Sequence, residues 1–174
     1  MYAPNMENNL NITNVDQGLY PLIHHSQKRR HCKFALHVAL PIVIGGGIYT
    51  FWRSPNLLVF SWYKCFRVYG YVLSIRHAFL PARPFIPAWF LYSLPDGCWV
   101  YSFTAFMVRV WANEDRRAWS VFWLLTPVSL AVGAELGQGI HIIPGTFDVV
   151  DLFVYVVAGA LAIFLNRGCN ENIH

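Results

Sequence analysis

Charged residues are scarce in this chain of 174 residues: they make up 13% of it, while 56% is hydrophobic and 17% aromatic. An ordinary soluble domain carries about 25% charge. The chain lacks the material for a charged shell around an apolar core, which excludes a conventional soluble fold. Cysteine is also sparse. Cys32, Cys65, Cys98 and Cys169 form no CxxC pair and no zinc-like spacing, so neither a disulfide framework nor a structural metal site is expected. No nucleophile elbow, HExxH or phosphate loop occurs, and no nucleic-acid-binding motif. The formal net charge of +4 comes from cations at the flanks of apolar runs, the pattern of membrane orientation signals. We therefore expect no nucleic-acid partner, no cofactor and no metal.

What is present is a series of apolar runs. A membrane-crossing helix needs roughly 20 mainly apolar residues, so about four spans fit. The reading is an all-α, polytopic transmembrane bundle of about four helices with one amphipathic interfacial helix. Residues 1–33 read as a disordered basic N-terminal tail without a signal peptide, 34–166 as the helical membrane domain, and 167–174 as a polar tail. The spans fall at about 34–52, 94–111, 118–142 and 148–165. The run at 57–73 is interrupted by Lys64 and Arg67, and two cations at mid-membrane are costly. A helix at about 55–80 lying in the interface avoids that cost, with its cations among headgroups and Phe60, Phe66 and Val72 toward the acyl chains; a fifth span is the alternative. Gly45, Gly46 and Gly47 in the first span allow close helix approach, and His37 reads as a packing histidine.

With the N-terminus cytoplasmic, that side holds eight Lys and Arg (Lys28, Arg29, Arg30, Lys33, Arg109, Arg116, Arg117, Arg167) and the outer side five (Arg53, Lys64, Arg67, Arg76, Arg83), which favours this orientation.

One polar cluster invites a functional reading. Glu135 lies inside the third apolar run, and Gln138, three residues on, shares its face. Asp148 and Asp151 stand at the start of the fourth span, in N-cap and N3 positions. The short Pro144-Gly145-Thr146 turn makes the last two helices antiparallel neighbours, so Glu135, Gln138, Asp148 and Asp151 can meet near one membrane surface. Ser93 and Asp96 read either as a helix cap or as further members of the site. His141 could approach the carboxylates. An intramembrane carboxylate is by default a functional-site hypothesis.

The pattern Glu135-x-x-Gln138, then Pro144-Gly145-Thr146-Phe147-Asp148-x-x-Asp151, then an apolar helix with Gly159, resembles the VanZ-like family of small bacterial membrane proteins. The likeness covers roughly residues 95–165. The chain departs from it where Thr146 directly follows Gly145 and where Tyr155 replaces an asparagine. The resemblance implies a multi-pass protein of the bacterial cytoplasmic (inner) membrane, associated with the cell envelope and with glycopeptide resistance. The expected partners are membrane lipids, a lipid-linked precursor or glycopeptide, and a second copy of the chain in a homo-oligomer. Beside an amphiphile-binding role stand proton or ion translocation by an oligomer, with Glu135 as relay, and two further alternatives. One is a structural or assembly subunit in which the cluster is glue. The other is an intramembrane acid–base enzyme using Glu135 and an aspartate.

Overall fold

The computed structural model describes residues 33–55, 58–111 and 117–167; the expected N-terminal and C-terminal tails lie outside them, apart from Lys33 and Arg167. The chain divides into two units, Met1–Leu36 and His37–His174, and the helical bundle belongs to the second. All regular structure among the described residues is helical. A π-helical turn, Ala35–Ala39, leads into α1, Leu40–Trp52. Two short helices come next, α2 (Leu58–Cys65) and α3 (Tyr69–Phe79), then a 3-10 turn, Leu80–Phe85. Three long helices complete the fold: α4 (Ala88–Val110), α5 (Arg117–Gly139) and α6 (Val149–Arg167).

Three segments are long and apolar enough to cross a membrane: Ala35–Trp52, Ala118–Gly139 and Val149–Asn166. α4 has 23 residues but is not one of the three. It carries Asp96 and Arg109 and turns Ser93, Ser102 and Thr104 inward, all three buried.

α4 packs against α1, α5 and α6. Gly97 of α4 meets Val154 of α6 so closely that a Cβ there would fall on the valine methyl. Further along, Ala105 packs with Ala162 and Arg109 bonds Asn166. The constant offset shows that α4 and α6 run parallel. α1 is antiparallel to α4, with His37 beside Tyr101 and Tyr49 beside Asp96. α5 is antiparallel to α6, with Val128 against Gly159 and Glu135 against Asp148.

Small residues (Ser93, Ser102, Thr104, Ala105, Ala158, Ala162) share the interior with larger ones such as Leu91, Val100, Leu124 and Tyr155, while most Trp, Phe and Leu side chains face outward. In lipid, apolar tails solvate leucine as well as a protein core does. Close backbone approach and dispersion contacts then hold helices together. Of the three consecutive glycines in α1, only Gly45 serves a close approach, against Pro95 and Cys98; Gly46 faces open space and Gly47 only its own helix's Phe51.

The segment expected to form one interfacial helix is instead two helices of 8 and 11 residues. Neither is long enough to cross a bilayer at 1.5 Å per residue. The break is a C-terminal cap. The Val68 N–H bonds the Tyr63 carbonyl at 3.0 Å, the Arg67 N–H bonds Lys64 at 3.1 Å, and Arg67 sits at φ 59°. This is a Schellman arrangement with arginine in the left-handed position glycine usually takes. The break also ends the continuous amphipathic helix read from the sequence. Phe60 is 1% exposed and packs edge-on to Tyr63 and Tyr69, so it faces protein, not acyl chains. Arg76, expected among the surface cations, is buried. Of the long helices, α4 begins at Ala88 and α5 ends at Gly139.

A candidate polar site at one end of the bundle

The site forms where α1 and α5 end and α6 begins. α5 closes with its own Schellman arrangement. His141 takes φ 60°, its N–H bonds Gln138 at 3.0 Å, and the Ile142 N–H bonds Gly137 at 2.9 Å. His141 is exposed there and serves the turn. The chain reverses through Gly145 at φ 149°, where a Cβ would lie 2.5 Å from the Gln138 side chain. Gln138 thus packs on the turn that brings α6 back.

Asp148 is the N-cap of α6. Its Oδ1 accepts the Val150 N–H at 2.8 Å, as a capping aspartate should. Within a capping box, the residue at N3 would accept the N-cap's own N–H. Here Asp151 occupies N3 but does not. The Asp148 N–H instead donates to Glu135 Oε1 at 2.5 Å. Glu135, 3% exposed, therefore completes the cap of α6 from the neighbouring helix. Its carboxylate meets the positive end of the α6 dipole, where negative charge is favoured.

Freed from the cap, Asp151 turns inward. Its Oδ1 is buried and has no hydrogen-bond partner among the described residues. Asp96 lies on α4, eight residues inside the helix, so it is not a cap. Its Oδ1 accepts the Tyr49 hydroxyl at 2.7 Å. Ser93 is likewise inside α4 and fully buried. Gly97, next to Asp96, packs on Val154 of α6, which brings Asp96 and Asp151 to the same end of the bundle. Tyr155, 7% exposed, sits in the combined field of Asp96, Asp151, Glu135 and Tyr49. The Arg53 guanidinium closes the rim, 4.4 Å from the Tyr49 ring centre and 5.1 Å from that of Tyr92.

Of the five residues expected at the site, Glu135 and Asp148 are joined directly. Asp96 and Asp151 lie at the same end of the bundle, on α4 and α6, and Gln138 packs on the turn between α5 and α6. Sequence reasoning did not include Tyr49, Tyr155 and Arg53. Tyr155 had a signal, since it lies four residues after Asp151 and shares its face. Tyr49 and Arg53 reach the site from another helix, and no spacing announces that. Among the described residues no three His, Cys, Asp or Glu gather to hold a metal ion.

No family model, curated protein or solved structure matches this chain. Geometry must then separate function from scaffold, and a second polar group helps. At the other end of the bundle His37 Nδ1 lies 2.6 Å from the Tyr101 hydroxyl, and Tyr101 bonds Asn166. Arg109 donates to Asn166 Oδ1 at 3.1 Å through Nη2, and Asn166 Nδ2 donates to the Ala162 carbonyl. This is interhelical glue with its partners in place. The Ser102 and Thr104 hydroxyls of α4 are buried without partners among the described residues, as is Asp151 Oδ1; the Asp96–Asp151 end differs in that its unpartnered atom is a carboxylate oxygen, the costlier group to leave unpaired.

Proposed function

We propose that the chain is a four-span membrane protein whose acidic–tyrosine end binds the polar head of an amphiphilic cell-envelope molecule. α4 is the fourth span in this reading. Its 23 residues cover about 34 Å, against a hydrocarbon core of about 30 Å, and its polar side chains face other helices. The N-terminus is cytoplasmic, which puts the site at the outer face of a bacterial inner membrane. The likeness to VanZ-like proteins points to the same compartment and to a lipid-linked precursor or glycopeptide as the bound molecule. Hydroxyl or ammonium donors on such a head suit the acceptors available.

One observation carries the reading: Asp151 Oδ1 is buried with no partner among the described residues. An unsatisfied buried acceptor costs about 1–3 kcal/mol. A donor supplied by a ligand would offset that cost.

The test is binding of a fluorescent lipid-linked cell-wall precursor to the full chain in detergent. Asp151→Asn turns an acceptor-only group into one that is half donor. It should weaken binding about tenfold and leave the thermal midpoint within a few degrees of the parent. Unchanged affinity, with the protein folded, would remove the site.

The bond from Asp148 to Glu135 favours a second reading, a structural or assembly subunit in which the end cluster only fastens α5 to α6. It predicts that Asp151→Asn leaves every lipid interaction as it was.

A further inference from the structure

Between Asp16 and Asp96 the chain contains no acidic residue, yet Arg53, Lys64, Arg67, Arg76 and Arg83 fall within this stretch. Arg76 is the unusual member. It is 6% exposed, and its Nη1 donates to the Thr50 carbonyl at 2.8 Å. Its guanidinium lies over the Phe60 ring, 5.5 Å from the centre. A guanidinium has five N–H donors in a rigid fork. The Thr50 contact caps the negative end of α1 but is a single bond to a neutral acceptor.

Among the described residues, no carboxylate is one of the groups whose charge acts on Arg76; the cation that does so is Arg83. Burial first, and then repulsion from Arg83, push the Arg76 guanidinium below its ordinary value. A buried charge is costly unless paired; the one group that favours the Arg76 charge is the Tyr69 phenol, so among the described residues no anion compensates this cation.

The surroundings say which kind. Phe66, Tyr71 and Phe85 on the same segment are 74%, 76% and 88% exposed. An exposed tyrosine suits the membrane–water boundary, and exposed phenylalanines beside it suit the adjoining acyl region. The Trp52 Nε1 donates to the Phe79 carbonyl at 3.0 Å, and Phe51 stacks on Phe79 at 4.9 Å, which fixes α3 to the end of α1. A planar fork at that level matches phosphate oxygens two at a time.

We propose that Arg76 and Arg83 form a binding site for the phosphate of an anionic lipid headgroup, seated where α3 and the following 3-10 turn meet the end of α1. This site does not depend on the carboxylate end. Its residues are different, and it takes the opposite charge.

The experiment uses the full-length chain in a neutral detergent. Binding of pyrene-labelled phosphatidylglycerol and phosphatidylcholine is read by energy transfer from the tryptophans. The glycerol lipid should bind at least about tenfold tighter. Arg83→Gln should cut its affinity about fivefold, the usual effect of one basic group near an anionic surface. Lys64→Gln, on α2, should change it less than about twofold. Arg76→Lys keeps the charge and a donor to Thr50 but loses the fork, so it should weaken binding as Arg83→Gln does. If Arg76→Lys does not fold, Arg83→Gln and Lys64→Gln still decide the matter. Equal binding of the two lipids overturns the proposal, as does an inert Arg83→Gln. An equal loss from Lys64→Gln leaves only a diffuse basic surface and overturns the site. Full displacement of the lipid by millimolar inorganic phosphate assigns the site to a soluble anion and overturns the lipid assignment.

Discussion

Replacing Glu135 by alanine tests how α5 and α6 are joined. The Glu135 carboxylate is buried and accepts one backbone N–H, that of Asp148. A hydrogen bond to a charged group contributes about 1.5–3 kcal/mol, and an anion at a helix N-terminus adds roughly 0.3–1 kcal/mol. Asp148 itself is exposed, so water can replace part of what is lost. Glu135→Ala should therefore cost about 2–3 kcal/mol. Glu135→Gln keeps an acceptor oxygen of the same reach and should cost about 1 kcal/mol or less. Reversible unfolding in mixed micelles, followed by tryptophan fluorescence and far-ultraviolet dichroism, measures both. If alanine costs under about 0.5 kcal/mol, well below the value of a charged hydrogen bond, the carboxylate does not hold the start of α6. If glutamine is as damaging as alanine, the negative charge at the start of α6 rather than an acceptor oxygen is what holds the helix.

Two further perturbations probe the packing and the turns. A side chain on Gly97 or Gly159 would collide with Val154 or Val128, so Gly97→Leu and Gly159→Leu should each lower stability by about 2 kcal/mol or more, whereas Gly46→Ala, which meets nothing, should be neutral; equal effects in the same unfolding assay would refute the close α4–α6 and α5–α6 approach. Arg67→Gly and His141→Gly relieve left-handed residues and should each raise stability by about 1 kcal/mol; a loss in both would show that the side chains, not the backbone, set these turns.

The parts of the fold that were legible share one property: their signal is local. The apolar runs of α5 and α6 and the Pro144-Gly145 reversal between them announce an antiparallel pair. Asp148 three residues before Asp151 announces a helix start. The break between α2 and α3 was hidden because arginine, not glycine, takes the left-handed position, and an arginine there reads as ordinary helix. The role of Gly45 was hidden among three glycines, since only the facing helix decides which one is pressed. Asp96 was visible, but its partner Tyr49 lies 47 residues away, with no periodicity linking them. Glu135 is buried beside Asp148. Its partner, however, is the backbone of that aspartate, and a pattern of side chains does not reveal a backbone donor.

The polar groups also explain why one arrangement of these helices is preferred. Between apolar helices in lipid, packing alone discriminates weakly, because sliding exchanges one set of methyl contacts for another. α4 and α6 are parallel and in register from Gly97–Val154 to Arg109–Asn166. A slip of one turn, about 5.4 Å, would move Arg109 off Asn166 at one end and Asp96 away from Asp151 and Tyr155 at the other. Both polar clusters would fail together, leaving a guanidinium and a carboxylate among apolar side chains at a cost of several kcal/mol. The clusters thus restrict register through the penalty for being wrong more than through the strength of being right. Such discrimination requires satisfied partners in the correct register. The Arg109–Asn166 end meets the requirement within the chain; at the other end Asp151 Oδ1 has no partner among the described residues, and a donor on a bound head is what the proposed function would supply.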